Sequence, residues 1–285
     1  MTDHILVPVD GSEIAYNAVT YACQLFPHAR LTIGHVIDPT QEWEEGPPDA
    51  DTWKTRAQSR GERITETATK RAEDAGIQPN ITIVWGKPHR AIQKLVEEIG
   101  VQHIVMGGTG ASMQGRTSLG GVAETVVRRA SVPVTLTQFS GSKDISSPER
   151  ILTAVDGSEL SLASLEYALN QFPDAEHRVV SVCEFDFDPS EVAGTYVQDR
   201  VETEEAWAEE VIAEATEIAT QKGVDIETVI RFGRPVHTII DLVEEADIDH
   251  TIVGTRGQSR TRSILLGSVA EGVARRAPTP VTVYR

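Results

Sequence analysis

The chain is written twice, and this repeat limits the fold more than any other feature. Val9-Asp10-Gly11-Ser12-Glu13 returns as Val155-Asp156-Gly157-Ser158-Glu159, an offset of 146 residues. Phe26-Pro27 returns as Phe172-Pro173 at the same offset. Val96-Glu97-Glu98 returns as Val243-Glu244-Glu245, and Arg128-Arg129-Ala130 as Arg275-Arg276-Ala277, both at 147. One inserted residue therefore keeps the halves in register. A period this long marks a duplicated domain, because solenoid repeats run to roughly 20–50 residues. Each half of a 285-residue chain is long enough to bury its own core. The expected organisation is a first domain at 1–140, a linker at 141–149 and a second domain at 150–285. A site built in one half should have a version in the other.

Hydropathy alternates between short apolar runs and helical periodicity. His4-Ile5-Leu6-Val7-Pro8-Val9 reads as a buried strand running into a turn at Asp10-Gly11. Ile14, Ala18, Tyr21, Ala22 and Leu25 then recur at helical spacing until Pro27. Strands are expected at Leu31–Ile37, Ile81–Trp85, His103–Met106 and Val132–Leu136. Helices are expected up to about Gly76, from Pro88, and from Gly121 to Ala130. Residues 38–52, rich in Pro, Gly, Asp and Glu, read as an exposed, mobile loop. The second half repeats this order, with strands beginning near Ile151, Val179, Ile226, His250 and Pro280. Strand-helix alternation with right-handed crossovers predicts an α/β fold: two repeated five-stranded parallel sheets, each covered on both faces.

Charge narrows the partners. Residues 1–142 hold 16 acids and 13 bases, whereas residues 143–285 hold 27 acids and 13 bases. The net charge of −17 argues against nucleic-acid binding, which needs cations to displace counterions. Lys is scarce, 6 residues against 20 Arg. Such a surface suits a halophile working in molar salt, or serves ordinary solubility; composition does not separate the two. The second helix of the first half is basic (Arg56, Arg60, Arg63, Lys70, Arg71) and that of the second half acidic (Glu202, Glu204, Glu205, Glu209, Glu210, Glu214, Glu217). Both read as solvated faces. No signal peptide is read at Met1-Thr2-Asp3-His4, and no apolar run approaches the roughly 20 residues of a membrane span. Cys23 and Cys183 are expected as buried free thiols of a reducing, cytoplasmic compartment.

The glycines carry the chemistry. Gly254-Thr255-Arg256-Gly257 is followed, after nine residues, by Gly267-Ser268. Gly107-Gly108-Thr109-Gly110 is followed, after nine residues, by Gly120-Gly121. Both sets lie between a strand and a helix. Open parallel sheets bind ligands beyond the carboxyl ends of their strands. There, glycines let backbone N–H groups approach an anion, and a helix N-terminus adds donors and positive partial charge. Arg116 in one half and Arg256, Arg260 and Arg262 in the other add cations suited to phosphate. The alternative is a tight loop and nothing more. Asp10 and Asp156 could close helix caps, with the Glu three residues on completing a capping box, or could touch a ligand. His103 and His250 are expected as hydrogen-bonded strand histidines, and His89 and His237 as surface residues. A P-loop motif is absent, as is any Cys/His spacing suited to a metal.

The Gly-x-x-Gly-x9-Gly-Ser pattern, the early Val-Asp-Gly-Ser and the closing Pro-Val-Thr-Val resemble the universal stress protein (UspA) family, over both halves. The resemblance implies a Rossmann-like domain of the adenine nucleotide alpha hydrolase type. It further implies a branch that binds ATP, usually with a divalent metal such as Mg²⁺. Carried over, Ala154, Val155, Asp156 and Val182 would meet the adenine. Gly254, Thr255, Arg256, Gly257, Gly267, Ser268 and Val269 would hold ribose and phosphates. The first half would use Pro8, Val9, Asp10, Val36, Gly107, Thr109, Gly110, Gly120 and Val122. It departs from the family at Gly121, where a Ser or Thr is preferred. One lost hydrogen bond to a charged group costs roughly 1.5–3 kcal/mol, so the second half should be the better site. The resemblance also implies an internal pseudo-dimer through the last strands of the two halves, with a homodimer of chains as a further step. Function is then expected as a stress-response sensor or regulator without fast catalysis. The rivals are a nucleotide-free interaction module, a regulatory partner of a transporter, and a slow ATP hydrolase.

Overall fold

Each half opens on a strand whose centre is buried on both faces. The computed structural model describes residues 2–40, 50–108, 119–138, 147–185, 195–255 and 266–285. It divides into two compact units, residues 2–147 and 148–285. In the first, β1 (His4–Val9) buries every residue but Pro8, which is half-buried. Then follow α1 (Glu13–Leu25), β2 (Arg30–Ile37), α2 (Ala50–Asp74) and β3 (Asn80–Trp85). The unit ends with α3 (Pro88–Ile99), β4 (His103–Gly107), α4 (Gly121–Arg129) and β5 (Val134–Thr137). The second unit repeats this as β6 (Arg150–Ala154), α5 (Glu159–Gln171), β7 (Glu176–Glu184), α6 (Thr195–Lys222) and β8 (Ile226–Gly233). Its last elements are α7 (Pro235–Glu245), β9 (His250–Gly254), α8 (Ser268–Arg276) and β10 (Val281–Tyr284).

Within the first unit the strand order is β3-β2-β1-β4-β5, and every pair is parallel. Within the second it is β8-β7-β6-β9-β10, again all parallel. The expected α/β class and the five-stranded repeat are what each unit contains. The chain winds outward from β1 to one edge, then crosses to the other side through β4. Between β1 and β4, and between β6 and β9, the winding reverses, which leaves a crevice at the carboxyl ends of the strands. Leu6, Leu31, Ile33, Ile104 and Leu136 fill the first core. Each fully buried side chain of this size stabilises the fold by about 1.5–3 kcal/mol. Val155, Leu165, Leu169, Val179 and Val211 do the same in the second.

The strand histidines hold neighbouring strands together. His103 Nε2 lies 2.7 Å from Thr135 Oγ1, and His250 Nε2 lies 2.7 Å from Thr282 Oγ1. Phe26 and Phe172 pack on these rings, at 4.8 and 5.7 Å between centroids, which gives the repeated Phe-Pro its structural purpose. Cys23 and Cys183 are buried free thiols. His237 is exposed, while His89 is half-buried rather than on the open surface.

Two expectations need correction. Residues 50–52 belong to the first turn of α2, not to the loop assigned to 38–52; residues 41–49 lie outside the described residues. Trp53 is therefore helical, and it packs edge-on against Trp85 at 5.7 Å. The fifth strand begins at Val134, two residues later than expected, because Pro133 lacks the N–H a ladder needs. Residues 139–146, which include most of the linker expected at 141–149, also lie outside the described residues. Among the described residues, no helix is long and apolar enough to cross a membrane.

Candidate nucleotide cleft

The repeated Val-Asp-Gly-Ser-Glu builds a turn and a cap together. Gly157 has φ +76 and Gly11 has φ +89, a left-handed geometry that other residues adopt only with strain. The helix cap is the serine, not the aspartate. Ser12 Oγ accepts from Ala15 N at 3.2 Å, and Ser158 Oγ accepts from Ser161 N at 3.3 Å. The aspartate buttresses that serine. Asp156 Oδ1 accepts from Ser158 Oγ at 2.6 Å and from its N–H at 3.1 Å, and Asp10 binds Ser12 in the same way. The expected capping box is thus replaced: Glu13 is the first helical residue and pairs with Arg71 at 2.6 Å.

The other key helices start differently. The caps of α4 and α8 are Gly120 and Gly267, neither of which makes a side-chain cap bond. Gly267 N–H donates to Thr255 O at 2.7 Å, and Gly120 N–H to Gly108 O at 2.8 Å, which clamps each glycine loop at its base. The first intrahelical bond of α8 is Glu271 N to Gly267 O. The N–H groups of Ser268, Val269 and Ala270 therefore have no helical acceptor. A helix start left open in this way attracts anions.

These ends meet in one cleft of about 310 Å³ in the second unit, a volume within the usual range for small-molecule sites. Ala154, Val155 and Asp156 from the end of β6 line it, with Val182 from β7, Gly254 from β9, and Gly267, Ser268 and Val269 from the start of α8. Eight residues chosen from sequence therefore share a single wall. Ala154 pairs with Val180 on one side and Val253 on the other, so the three strand ends lie in register. Thr255 is buried behind the cleft and does not line it. Arg256 and Gly257 lie outside the described residues, as do Arg260 and Arg262. Gly254 has a packing reason of its own: a Cβ there would stand 2.8 Å from Leu160 O at the start of α5.

Sequence reasoning missed the far wall. Glu204, Trp207 and Ala208 from α6 line the cleft, as do Pro235 and Ile239 from α7 and Glu184 from β7. Glu204 is half-buried and so departs from the solvated face assigned to this helix; Glu202, Glu205, Glu209, Glu210, Glu214 and Glu217 do face solvent. Cys183 Sγ donates to Glu204 O at 3.4 Å, tying α6 to the strand end. Burial, and after it the charges of Glu204 and Glu205, push the Cys183 thiol up to about 11.

In the first unit, Pro8, Val9 and Asp10 end β1, Val36 is half-buried near the end of β2, Gly107 ends β4, and Val122 lies in the first turn of α4. Thr109, Gly110 and Arg116 lie outside the described residues. His35, at the place Ser181 takes in the second unit, lies 2.8 Å through Nδ1 from Val9 O. Its Nε2 has no hydrogen-bond partner among the described residues, and burial lowers its pKa. At Gly121 a Cβ would meet open space. Among the described residues, no group of three or more His, Cys, Asp or Glu side chains could hold a metal by itself.

The universal stress protein family matches residues 1–138 and again residues 148–285. A universal stress protein of Mycobacterium tuberculosis is 29% identical over 297 residues, which cover 99% of this chain and 96% of the relative. One from Methanocaldococcus jannaschii is 28% identical over 142 residues, 48% of this chain and 82% of its own length. The crystal structure of a universal stress protein from Archaeoglobus fulgidus aligns with a TM-score of 0.70 at 25% identity, covering 99% of this chain and 96% of that one. With both halves matched, and with relatives spanned end to end, the chain is a tandem member of the universal stress protein family.

Proposed function

We propose that the second unit binds an adenine nucleotide, ATP carried with Mg²⁺, and that the chain acts as a stress-response sensor or regulator. One observation carries this reading: a mostly apolar slot at the sheet's switch point opens onto an uncapped helix start. The slot suits a base and the helix start suits phosphates. Ala154, Val155 and Val182 offer the base an apolar face. Ser268, Val269 and the backbone after Gly267 offer the phosphates donors, and Arg256 and Gly257 would complete the loop. Mg²⁺ keeps several waters and binds substrate phosphates with one or two carboxylates, so a site without a metal cage fits it. The ion would neutralise phosphate charge.

Rapid hydrolysis requires a base that positions water. Asp156 Oδ1 already accepts two hydrogen bonds from Ser158, which ties it to the turn. The proposed role is therefore binding with at most slow turnover. In the first unit Gly121 supplies no hydroxyl, so its affinity is expected to be lower.

Calorimetric titration of ATP and Mg²⁺ into the full chain and into Ser268→Ala tests this. Ser268 is the first residue of α8 and the cap is Gly267, so the fold should be unaffected. Affinity should fall by about ten- to hundredfold. Absence of heat with either protein would leave the interaction-module reading in its place.

A further inference from the structure

Trp207 stands on the cleft although neither the repeat nor the glycine motif marks it. It is 47% exposed, the most exposed large apolar residue among the described side chains of α6, yet it lines the cleft. Its ring packs beside the turn after Asp156: a Cβ on Gly157 would lie 3.2 Å from the indole Cζ2. It therefore flanks the strand end where the apolar slot begins. Glu204, one turn earlier on the same helix face, lines the same cleft, as does Glu184 at the end of β7.

The first unit lacks this wall. Ala68 and Ala72 match Ala215 and Ala219 in burial, which sets the helix offset at 147. On that register Arg60 replaces Trp207, Ala57 replaces Glu204 and Gly61 replaces Ala208. A Cβ on Gly61 would stand 2.9 Å from His35 Cδ2, so the first unit spends this space on a histidine.

Resting on the nucleotide reading above, we propose that Trp207 is the stacking wall for the base in the second unit, and that Glu204 and Glu184 select a base with an exocyclic amine. The chemistry follows from the groups. An exposed indole offers a π-face to any base, and such stacking strengthens binding by roughly tenfold or more. Ionised carboxylates only accept hydrogen bonds. They complement the 6-amino group of adenine and find no donor at the same place on unsubstituted purine. The opposite end of the cleft, at the start of α8, takes the phosphates.

Trp207 is the single tryptophan of residues 148–285, the others being Trp43, Trp53 and Trp85. Fluorescence and calorimetric titrations of the full chain with ATP, purine riboside triphosphate and inorganic tripolyphosphate make the test. ATP should quench the wild type and bind at least about tenfold tighter than purine riboside triphosphate. Trp207→Leu should weaken ATP by about tenfold but leave tripolyphosphate unchanged, and Trp207→Phe should restore ATP binding without the quench. Glu204→Gln with Glu184→Gln should narrow the preference over purine riboside triphosphate. Equal ATP affinity in wild type and Trp207→Leu, or equal loss for tripolyphosphate, overturns the inference while the nucleotide reading stands. No binding of any of the three probes overturns both.

Discussion

At the scale of single residues, glycine and histidine carry the clearest consequences. Gly157 combines φ +76 with a Cβ position 2.8 Å from Val211 Cγ2, while Gly11 has Ile64 no closer than 3.2 Å. Both Ala substitutions are strained by φ, and the closer contact adds overpacking, which costs about 1–3 kcal/mol. Gly157→Ala should therefore destabilise its unit more than Gly11→Ala, as urea unfolding of the two variants would register. His250 is fully buried, and burial pushes its pKa down to about 3. The unfolded imidazole has a pKa of about 6.5. Above that value both states are neutral and stability is constant. Below it the unfolded chain takes up a proton that the folded one refuses, so stability falls from about pH 6.5 toward pH 3, by at most about 1.4 kcal/mol per pH unit. His177 and His35 shift in the same direction through burial. His250→Gln should lose stability at pH 7 but lose less than wild type between pH 7 and pH 5. Equal losses would contradict a neutral buried His250.

Secondary-structure elements show what could and could not be read in advance. Strand and helix order was legible because buried parallel strands are short apolar runs punctuated by Gly and Pro, as in Ile5–Val9 before Asp10-Gly11. The near wall of the cleft was legible for the same reason, since the motif residues sit at strand ends and helix starts. The cap was not. Asp10 and Ser12 are both good cap residues, and only the backbone angles place Ser12 at the cap with Asp10 behind it. Ser158→Ala should cost about 1 kcal/mol by thermal or urea unfolding, through the open start of α5. The far wall was hidden because Trp207 lies some 50 residues from the turn it touches, in a helix read by its charge. The single aromatic ring in that acidic run was the available signal. The uncapped start of α4 permits a gain-of-function test. Gly121 borders open space, so Gly121→Ser adds a hydroxyl without a clash. It should raise nucleotide affinity in the first unit by about tenfold, seen as a second calorimetric transition.

For the whole molecule, duplication and charge set the behaviour. Duplication supplied two copies of one scaffold, and small differences distinguish them: Ser268 against Gly121, Trp207 against Arg60, Ser181 against His35. The net charge of −17 lies mostly in residues 143–285. Self-repulsion of this kind weakens when the Debye length falls from about 10 Å at 0.1 M salt to about 3 Å at 1 M. Melting temperature should therefore rise with salt, and more for the second unit, as differential scanning calorimetry would resolve. A flat response would show that the acids are solubility charge alone. The central claim is that one nucleotide cleft, in the second unit, is the working site. It is tested most directly by counting the nucleotides that the full chain retains after equilibration with ATP and Mg²⁺, released by denaturation, for wild type and Ser268→Ala. The account predicts about one ATP per wild-type chain and far less for the variant. No retained nucleotide, or an equal amount in both proteins, would contradict it.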